Sequence, residues 1–145
     1  MTFRTLAALV AIIGTLSSAA LAAPSVTVRV PRGISSSGTI VDSAPNGQEY
    51  VVVENVRVKN PSNTRPQSYL LTDFQLIIGE KRYTPTARPH LGAIDLSQNG
   101  LLPPNEVLTT NLSFLVPIES SRATLEFLPA DWYDSYGTRI LYCCI

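Results

Sequence analysis

Charge of either sign is scarce in this chain, and the scarcity excludes several classes of protein. Of its 145 residues only 15% are charged, 11 basic against 11 acidic, and the pI is near 6.6. A nucleic-acid partner is excluded because neutralising a phosphate backbone requires a clustered surplus of lysine and arginine. Lys59 and Lys81 are the only lysines, which also excludes a polybasic membrane-binding patch. With 45% hydrophobic residues, the composition indicates a globular domain rather than a disordered chain.

Cysteine and histidine are almost absent, which limits the available chemistry. Cys143 and Cys144 are the only cysteines and are adjacent, so the disulfide framework of small secreted domains is missing. The pair can be free thiols, an intermolecular link or a strained vicinal disulfide. His90 is the only histidine, whereas a zinc site needs several such ligands. We therefore expect no metal or other cofactor. Without a Gly-x-Ser-x-Gly elbow we also expect no nucleophilic catalysis.

The first residues have the pattern of a targeting segment. Arg4 precedes an apolar run at residues 6–16, and mostly small residues follow as far as Ala23. This order is typical of a cleaved secretory signal peptide. The apolar run is shorter than the roughly 20 residues that a membrane-spanning helix requires. We therefore interpret residues 1–22 as a signal peptide and residues 23–145 as a single domain. The alternative is an uncleaved N-terminal anchor.

The remaining chain shows the period-two alternation of β-strands. The clearest segments are residues 26–30, 49–60, 69–79, 107–117 and 122–128. In the second of these, the valines share one face only if the register shifts at Glu54-Asn55, so we predict a β-bulge there. A hairpin is predicted at Gly79-Glu80. Further short elements are expected at residues 39–41, 93–96 and 138–142.

Short strands separated by turns, without a helical run, predict an all-β fold. We expect one antiparallel, immunoglobulin-like β-sandwich of about seven strands. Leu70 is expected on the inward face with Phe74, Ser113 is expected to face outwards, and residues 101–105 are expected to form a rigid connection. The predicted core consists of Val51, Val53, Val56, Val58, Phe74, Leu76, Ile78, Leu112, Phe114, Val116, Leu125 and Phe127.

Four segments of the sequence together resemble those of a known family of domains. They are the strand at residues 50–60, the hairpin at residues 74–83, the turn at residues 102–106 and the strand at residues 112–117. Together they resemble a family of secreted bacterial domains of unknown function with a telokin-like, immunoglobulin-type fold, to which a mycobacterial immunoprotective extracellular antigen is related. Where that family often has a Pro-Gly-Glu turn, this chain has Pro104-Asn105-Glu106, and asparagine tolerates the left-handed backbone of such a turn. The resemblance implies the fold and an extracytoplasmic location, and it transfers no catalytic residue.

One candidate binding segment combines two carboxylates with three aromatic rings: Asp131, Trp132, Tyr133, Asp134 and Tyr136. Sugars stack on aromatic rings and bond to carboxylates, so the segment is a candidate carbohydrate site. The alternative is a turn whose Trp and Tyr close one end of the sandwich while the aspartates cap backbone groups.

A second candidate is a small anion-binding surface. Arg65, Arg82 and Arg88 would form it if their loops converge, and His90 lies beside Arg88 in the sequence. The alternative is a solvated rim of scattered arginines with a loop histidine that has no further role.

These observations favour an exported, non-enzymatic binding or interaction module of the cell envelope or extracellular space. Sandwiches present loops and free strand edges to partners. We expect another protein or an envelope component as partner, and no membrane span once the signal peptide is removed. We expect a secreted or periplasmic location. The alternatives are a carbohydrate-binding or sugar-active protein that uses residues 131–136, and a metal or redox carrier that uses Cys143 and Cys144.

The signal-peptide interpretation predicts a specific mature N-terminus. Expressed in a host with a secretory pathway, the exported protein should begin at Ala23, because the small side chains at Ala20 and Ala22 suit signal peptidase. Intact-mass measurement and N-terminal sequencing of the exported fraction test this. Recovery of residues 1–22 on the membrane-bound protein would instead indicate an anchor.

Overall fold

The computed structural model describes residues 26–87, 99–118 and 122–140. The expectations for residues 1–22 and 93–96, for Arg88 and His90, and for the two cysteines lie outside these ranges. The described ranges contain ten strands and one 3₁₀ turn, which follow the chain in this order: β1 Thr27–Arg29, β2 Ile34–Ser35, β3 Gly38–Ala44, β4 Gln48–Lys59, β5 Gln67–Leu70, the turn Leu71–Asp73, β6 Phe74–Ile78, β7 Lys81–Tyr83, β8 Asn99–Leu102, β9 Val107–Pro117 and β10 Arg122–Phe127.

The strands form an all-β sandwich, as predicted. One sheet has the order β1-β10-β6-β7, in which only β1 and β10 run parallel. The other sheet is centred on β4, which pairs with β9 along nearly its whole length. Strands β2 and β3 therefore share the other edge of β4. Strands β5 and β8 form a separate two-stranded sheet.

The core lies between the two larger sheets. Every predicted core residue is buried except Ile78, which is only partly buried because it lies next to the exposed β6–β7 turn. The alternation that placed these residues inward is thus confirmed. Val26, on the apolar face of the predicted strand at residues 26–30, is also buried in this core, and so is Trp132, as the alternative interpretation of its segment proposed. Sequence reasoning missed Ile34, Leu71 and Leu102, which are buried there too.

The predicted bulge in β4 is present. The β4–β9 register shifts between Val53 and Val56, and Asn55 has a positive φ of 49°. The Asn55 N–H donates to Asn111 Oδ1 at 2.8 Å, and its Nδ2 donates to Ser37 Oγ at 2.8 Å. Asparagine tolerates this backbone, and the shift keeps the valines on either side of it inward.

The predicted single strand over residues 69–79 is wrong. Leu71–Asp73 forms a 3₁₀ turn that divides it into β5 and β6. The turn interrupts the alternation between the inward and outward faces. Leu71 is therefore buried, while Leu70, which was expected to face inwards, is 45% exposed. Adjacent apolar residues at 70 and 71 made both parities possible, and the Asp73 carboxylate selects the turn by accepting the Leu70 N–H.

Three further expectations need correction. Residues 99–102 form a strand rather than part of a rigid connection, because they pair with β5. Ser113 is buried, since the chain after β7 covers it and its hydroxyl donates to the Thr86 carbonyl. Of the element expected at residues 138–142, residues 138–140 add no strand to a sheet and show only a bridge between Tyr133 and Arg139, while residues 141 and 142 lie outside the described ranges.

A buried asparagine connects the end of β4 to the β8–β9 turn. Asn60 is fully buried, and its Nδ2 lies 2.9 Å from the Arg65 carbonyl oxygen and 3.0 Å from those of Leu102 and Pro103. Its Oδ1 accepts the Ser62 N–H at 3.0 Å. One amide thus satisfies backbone groups from two loops that would otherwise be buried without partners.

The neighbouring turn completes this connection. The Asn60 N–H donates to the Glu106 carbonyl, and the Asn105 N–H donates to the Ser62 carbonyl. Asn105 has the left-handed backbone expected of it, with a φ of 62°. The Pro104-Asn105-Glu106 turn is therefore held against the loop that follows β4.

The Asn60 network predicts a large and specific loss of stability. Asn60→Ala removes the amide donor from the buried Leu102 carbonyl and from the partly buried Arg65 and Pro103 carbonyls, so the free energy of unfolding should fall by about 3 kcal/mol. Urea denaturation measures this change. Asn63→Ala, a control at an exposed position in the same loop, should change it by less than about 0.5 kcal/mol. Equal effects of the two substitutions would contradict the assigned role.

Candidate functional site

An open groove lies on the two-stranded sheet. Residues 68–70 of β5 and residues 99–101 of β8 line it, together with Asp73 and Ala130. Its volume is about 510 Å³, within the roughly 300–1,000 Å³ typical of ligand sites. The groove is the candidate site because it combines apolar side chains with a carboxylate.

Two exposed leucines provide the apolar part of the groove. Leu101 is 65% exposed and Leu70 is 45% exposed. Alternation along the two strands turns Gln67 and Leu102 towards the core, so Leu70 and Leu101 face outwards. Leu70 is opposite Asn99 and Leu101 is opposite Ser68, and the one pair between these two has its side chains on the other face. The two leucines therefore lie diagonally next to each other on one face.

A tyrosine ring covers a glycine across the two strands. Gly100 pairs with Tyr69, and a Cβ added at Gly100 would come within 2.6 Å of the Tyr69 ring. The ring thus occupies the space that a side chain at position 100 would need. A larger residue at position 100 would therefore displace the Tyr69 side chain.

In the described part of the chain, Asp73 provides the only carboxylate that lines the groove. Its Oδ2 accepts the Leu70 N–H at 2.8 Å, and its own carbonyl accepts the Leu128 N–H. Burial raises the pKa of the Asp73 carboxyl, and the hydrogen bond from Leu70 opposes this rise. Among the described residues, no lysine or arginine forms an ion pair with Asp73.

The aromatic segment supports the groove from beneath. Trp132 is fully buried, and its Nε1 donates to the Ser68 carbonyl at 2.6 Å. Its ring meets Phe127 edge to face with the centroids 5.1 Å apart, and Phe127 stacks on Phe74 at 4.4 Å. Trp132 therefore offers no ring face to a sugar and instead closes this end of the core.

The rest of the predicted carbohydrate segment forms a turn. Asp134 Oδ1 accepts the N–H groups of Tyr136 and Thr138, so this carboxylate caps the turn. The Tyr133 carbonyl accepts the Gln67 side chain. Asp131 is exposed, and Tyr136 is 94% exposed at the tip of the turn. The structure thus separates the aromatic rings that the sequence placed side by side.

The predicted arginine surface is not assembled from the described residues. Arg82 Nη1 donates to Glu126 Oε2 at 2.6 Å and to Gln75 Oε1 at 3.0 Å, which neutralises its charge on the outer face of the first sheet. Arg65 is exposed in the loop after β4, where its backbone joins the Asn60 network. Arg88 and His90 lie outside the described residues.

A buried carboxyl outside the groove was not foreseen. Glu49 is only 4% exposed on the inner face of β4, two residues before Val51, so the alternation itself would have revealed it. Within the described part of the chain its Oε1 has no hydrogen-bond partner. Burial raises the pKa of the Glu49 carboxyl above its ordinary value of 4.5.

The described ranges contain neither a metal-binding cluster nor a membrane-spanning helix. Residues 26–87, 99–118 and 122–140 contain no group of three or more histidine, cysteine, aspartate or glutamate side chains placed to hold a metal ion. No helix within these residues has the length and apolar character needed to cross a bilayer.

The fold and the groove define a β-sandwich domain with an open groove on its small sheet. A family model described as "Domain of unknown function (DUF4352)" matches residues 17–137. The chain therefore belongs to this family. Neither the comparison with curated proteins nor that with solved structures returned a match. The family description names no activity, so a functional hypothesis must rest on the residues of this chain.

The buried Glu49 predicts a fall in stability as the pH rises. Because folding raises its pKa, Glu49 favours the folded state below about pH 4.5, and this contribution is lost as the pH rises through its pKa in the folded state. Each pKa unit of the rise costs about 1.4 kcal/mol above both values. Urea denaturation between pH 4 and pH 8 should show a shallower fall for Glu49→Gln than for the unsubstituted protein. Glu80→Gln, at an exposed turn, is the matched control; parallel curves for all three would contradict the assignment.

Proposed function

We propose that the protein is an exported, non-enzymatic binding module whose ligand site is the groove between β5, β8 and Asp73. The observation that supports this best is the pair of exposed leucines, Leu70 and Leu101, next to a partly desolvated carboxylate. Apolar side chains with a few convergent polar groups are the usual composition of a binding site. The combination of two neighbouring leucines with a carboxylate distinguishes the groove from isolated exposed apolar residues, which are normal on protein surfaces.

The support beneath the groove also favours a binding role. Trp132, Phe127 and Phe74 form a continuous aromatic contact that connects β5 to the core. A groove on such a base can bind a ligand without a large rearrangement of its floor, which lowers the ordering cost of binding. Without a ligand, the exposed Leu70 and Leu101 side chains would lower the solubility of the protein and would not stabilise its fold.

Two features support the export part of the proposal. Residues 1–22 have the order of a secretory signal peptide. The resemblance of four sequence segments to a family of secreted bacterial domains is in accord with the same location. We place the protein in the periplasm or outside the cell, where its partner would be a protein or an envelope component.

Site-specific photocrosslinking in an exporting host tests the binding role. A benzophenone amino acid in place of Leu101 should give a discrete crosslinked adduct, because that side chain faces the groove. The matched control carries the same group in place of Ile40, which is 47% exposed on the distant strand β3. The adducts are compared by gel shift and mass spectrometry. Equal labelling at both positions, or none at Leu101, would contradict the proposal.

A further inference from the structure

Two asparagine-glycine pairs occur in the chain, and the fold gives them different surroundings. Asn46-Gly47 lies in the turn between β3 and β4, whereas Asn99-Gly100 lies in β8. A glycine has no Cβ, so its backbone nitrogen is open to attack on the side chain of the preceding asparagine. A nucleophile held next to its target in the same chain reacts in a unimolecular step. Both pairs therefore have the composition that an intramolecular reaction requires.

The first pair is exposed at the tip of the β3–β4 hairpin. Asn46 and Gly47 have positive φ angles of 63° and 70°, and both residues are exposed. A Cβ built on Gly47 would meet no atom within 4 Å, so the surrounding space is open to water. The Gly47 carbonyl accepts the Ile118 N–H, but no described residue bonds to the Asn46 side chain or the Gly47 N–H. The two groups that would react are therefore not held by other contacts.

The second pair is held by the two-stranded sheet. Asn99 is opposite Leu70, and Gly100 is opposite Tyr69, whose ring occupies the space over the glycine. Closing the Asn99 side chain onto the Gly100 nitrogen would rotate the extended backbone between them, so β8 must first separate from β5. Such local opening costs free energy, whereas no strand pairing opposes the same rotation at a loop tip.

We propose that Asn46 is a site of spontaneous deamidation and that the fold restricts the reaction to this asparagine-glycine pair. The Gly47 nitrogen attacks the Asn46 Cγ, the bond from Cγ to the side-chain nitrogen breaks, and the proton lost by the Gly47 N–H leaves with the departing ammonia. Water then opens the resulting succinimide at either carbonyl, which yields aspartate or isoaspartate at position 46. Water is the only co-reactant, and no oxidation or reduction takes place.

The product would change the hairpin as well as its charge. Isoaspartate carries the main chain through the former side-chain carbon, so the backbone gains one atom between Ala44 and Gln48, the last pair of the β3–β4 ladder. Because loop length sets the register of a hairpin, this addition would disturb that pair. Neither Asn46 nor Gly47 lines the groove, so the inference does not depend on the proposed function.

Peptide mapping by mass spectrometry, after incubation in mildly alkaline buffer, tests the proposal. In the native protein Asn46 should deamidate at least about tenfold faster than Asn99, because β8 must open first. In concentrated urea the two residues should react at similar rates, since a glycine follows each of them. Equal rates in the native protein, or an Asn46 that does not react there, would overturn the proposal.

Two variants separate the chemistry of the turn from the protection by the sheet. Asn46→Gln would have to close a less favourable six-membered ring, so labelling of native protein by an isoaspartyl methyltransferase should be lost. Tyr69→Ala uncovers Gly100, so Asn99 should deamidate several-fold faster while the rate at Asn46 is unchanged, and urea denaturation checks that this variant is folded. Undiminished labelling of Asn46→Gln, or an unchanged rate at Asn99 in folded Tyr69→Ala, would contradict the assigned roles.

Discussion

The Asn60 amide is the interaction on which the rest of this end of the molecule depends. Its contacts with the Leu102 and Pro103 carbonyls fix the end of β8 against the loop after β4. A sheet of only two strands is marginal by itself, so β5 and β8 need such external support. The groove is therefore a consequence of a buried polar network as much as of the strands that line it.

Alternation along single strands predicted the core well. On β4 the valines are inward on both sides of a register shift, and the only arrangement that keeps them so is a bulge at Glu54-Asn55. This succeeds because the face of a strand is a local property, set by the sequence itself. Leu70 shows the limit of the method: with Leu71 also apolar, alternation allowed two parities, and a side-chain hydrogen bond from Asp73 decided between them.

The candidate site was much less predictable than the core. The groove forms where residues 67–70 pair with residues 99–102, and no local pattern indicates which distant strands will pair. The residues chosen from composition have other contacts: Trp132 lies in the core, Asp134 caps a turn and Arg82 pairs with Glu126. These residues were chosen in the sequence because their side chains can stack, accept hydrogen bonds or form ion pairs. The same interactions stabilise the fold itself.

The parallel pairing of β1 with β10 has a consequence for how the chain acquires its structure. The first described strand completes its sheet only with the last one, Thr27 opposite Arg122. A chain emerging N-terminus first thus cannot complete this sheet until almost all of it has appeared. Until then β6 also lacks β10 on one side. Synthesis or transport can therefore finish before the final topology forms. A truncated chain would expose unpaired strand edges that can pair with other chains, and it would not form a smaller stable domain.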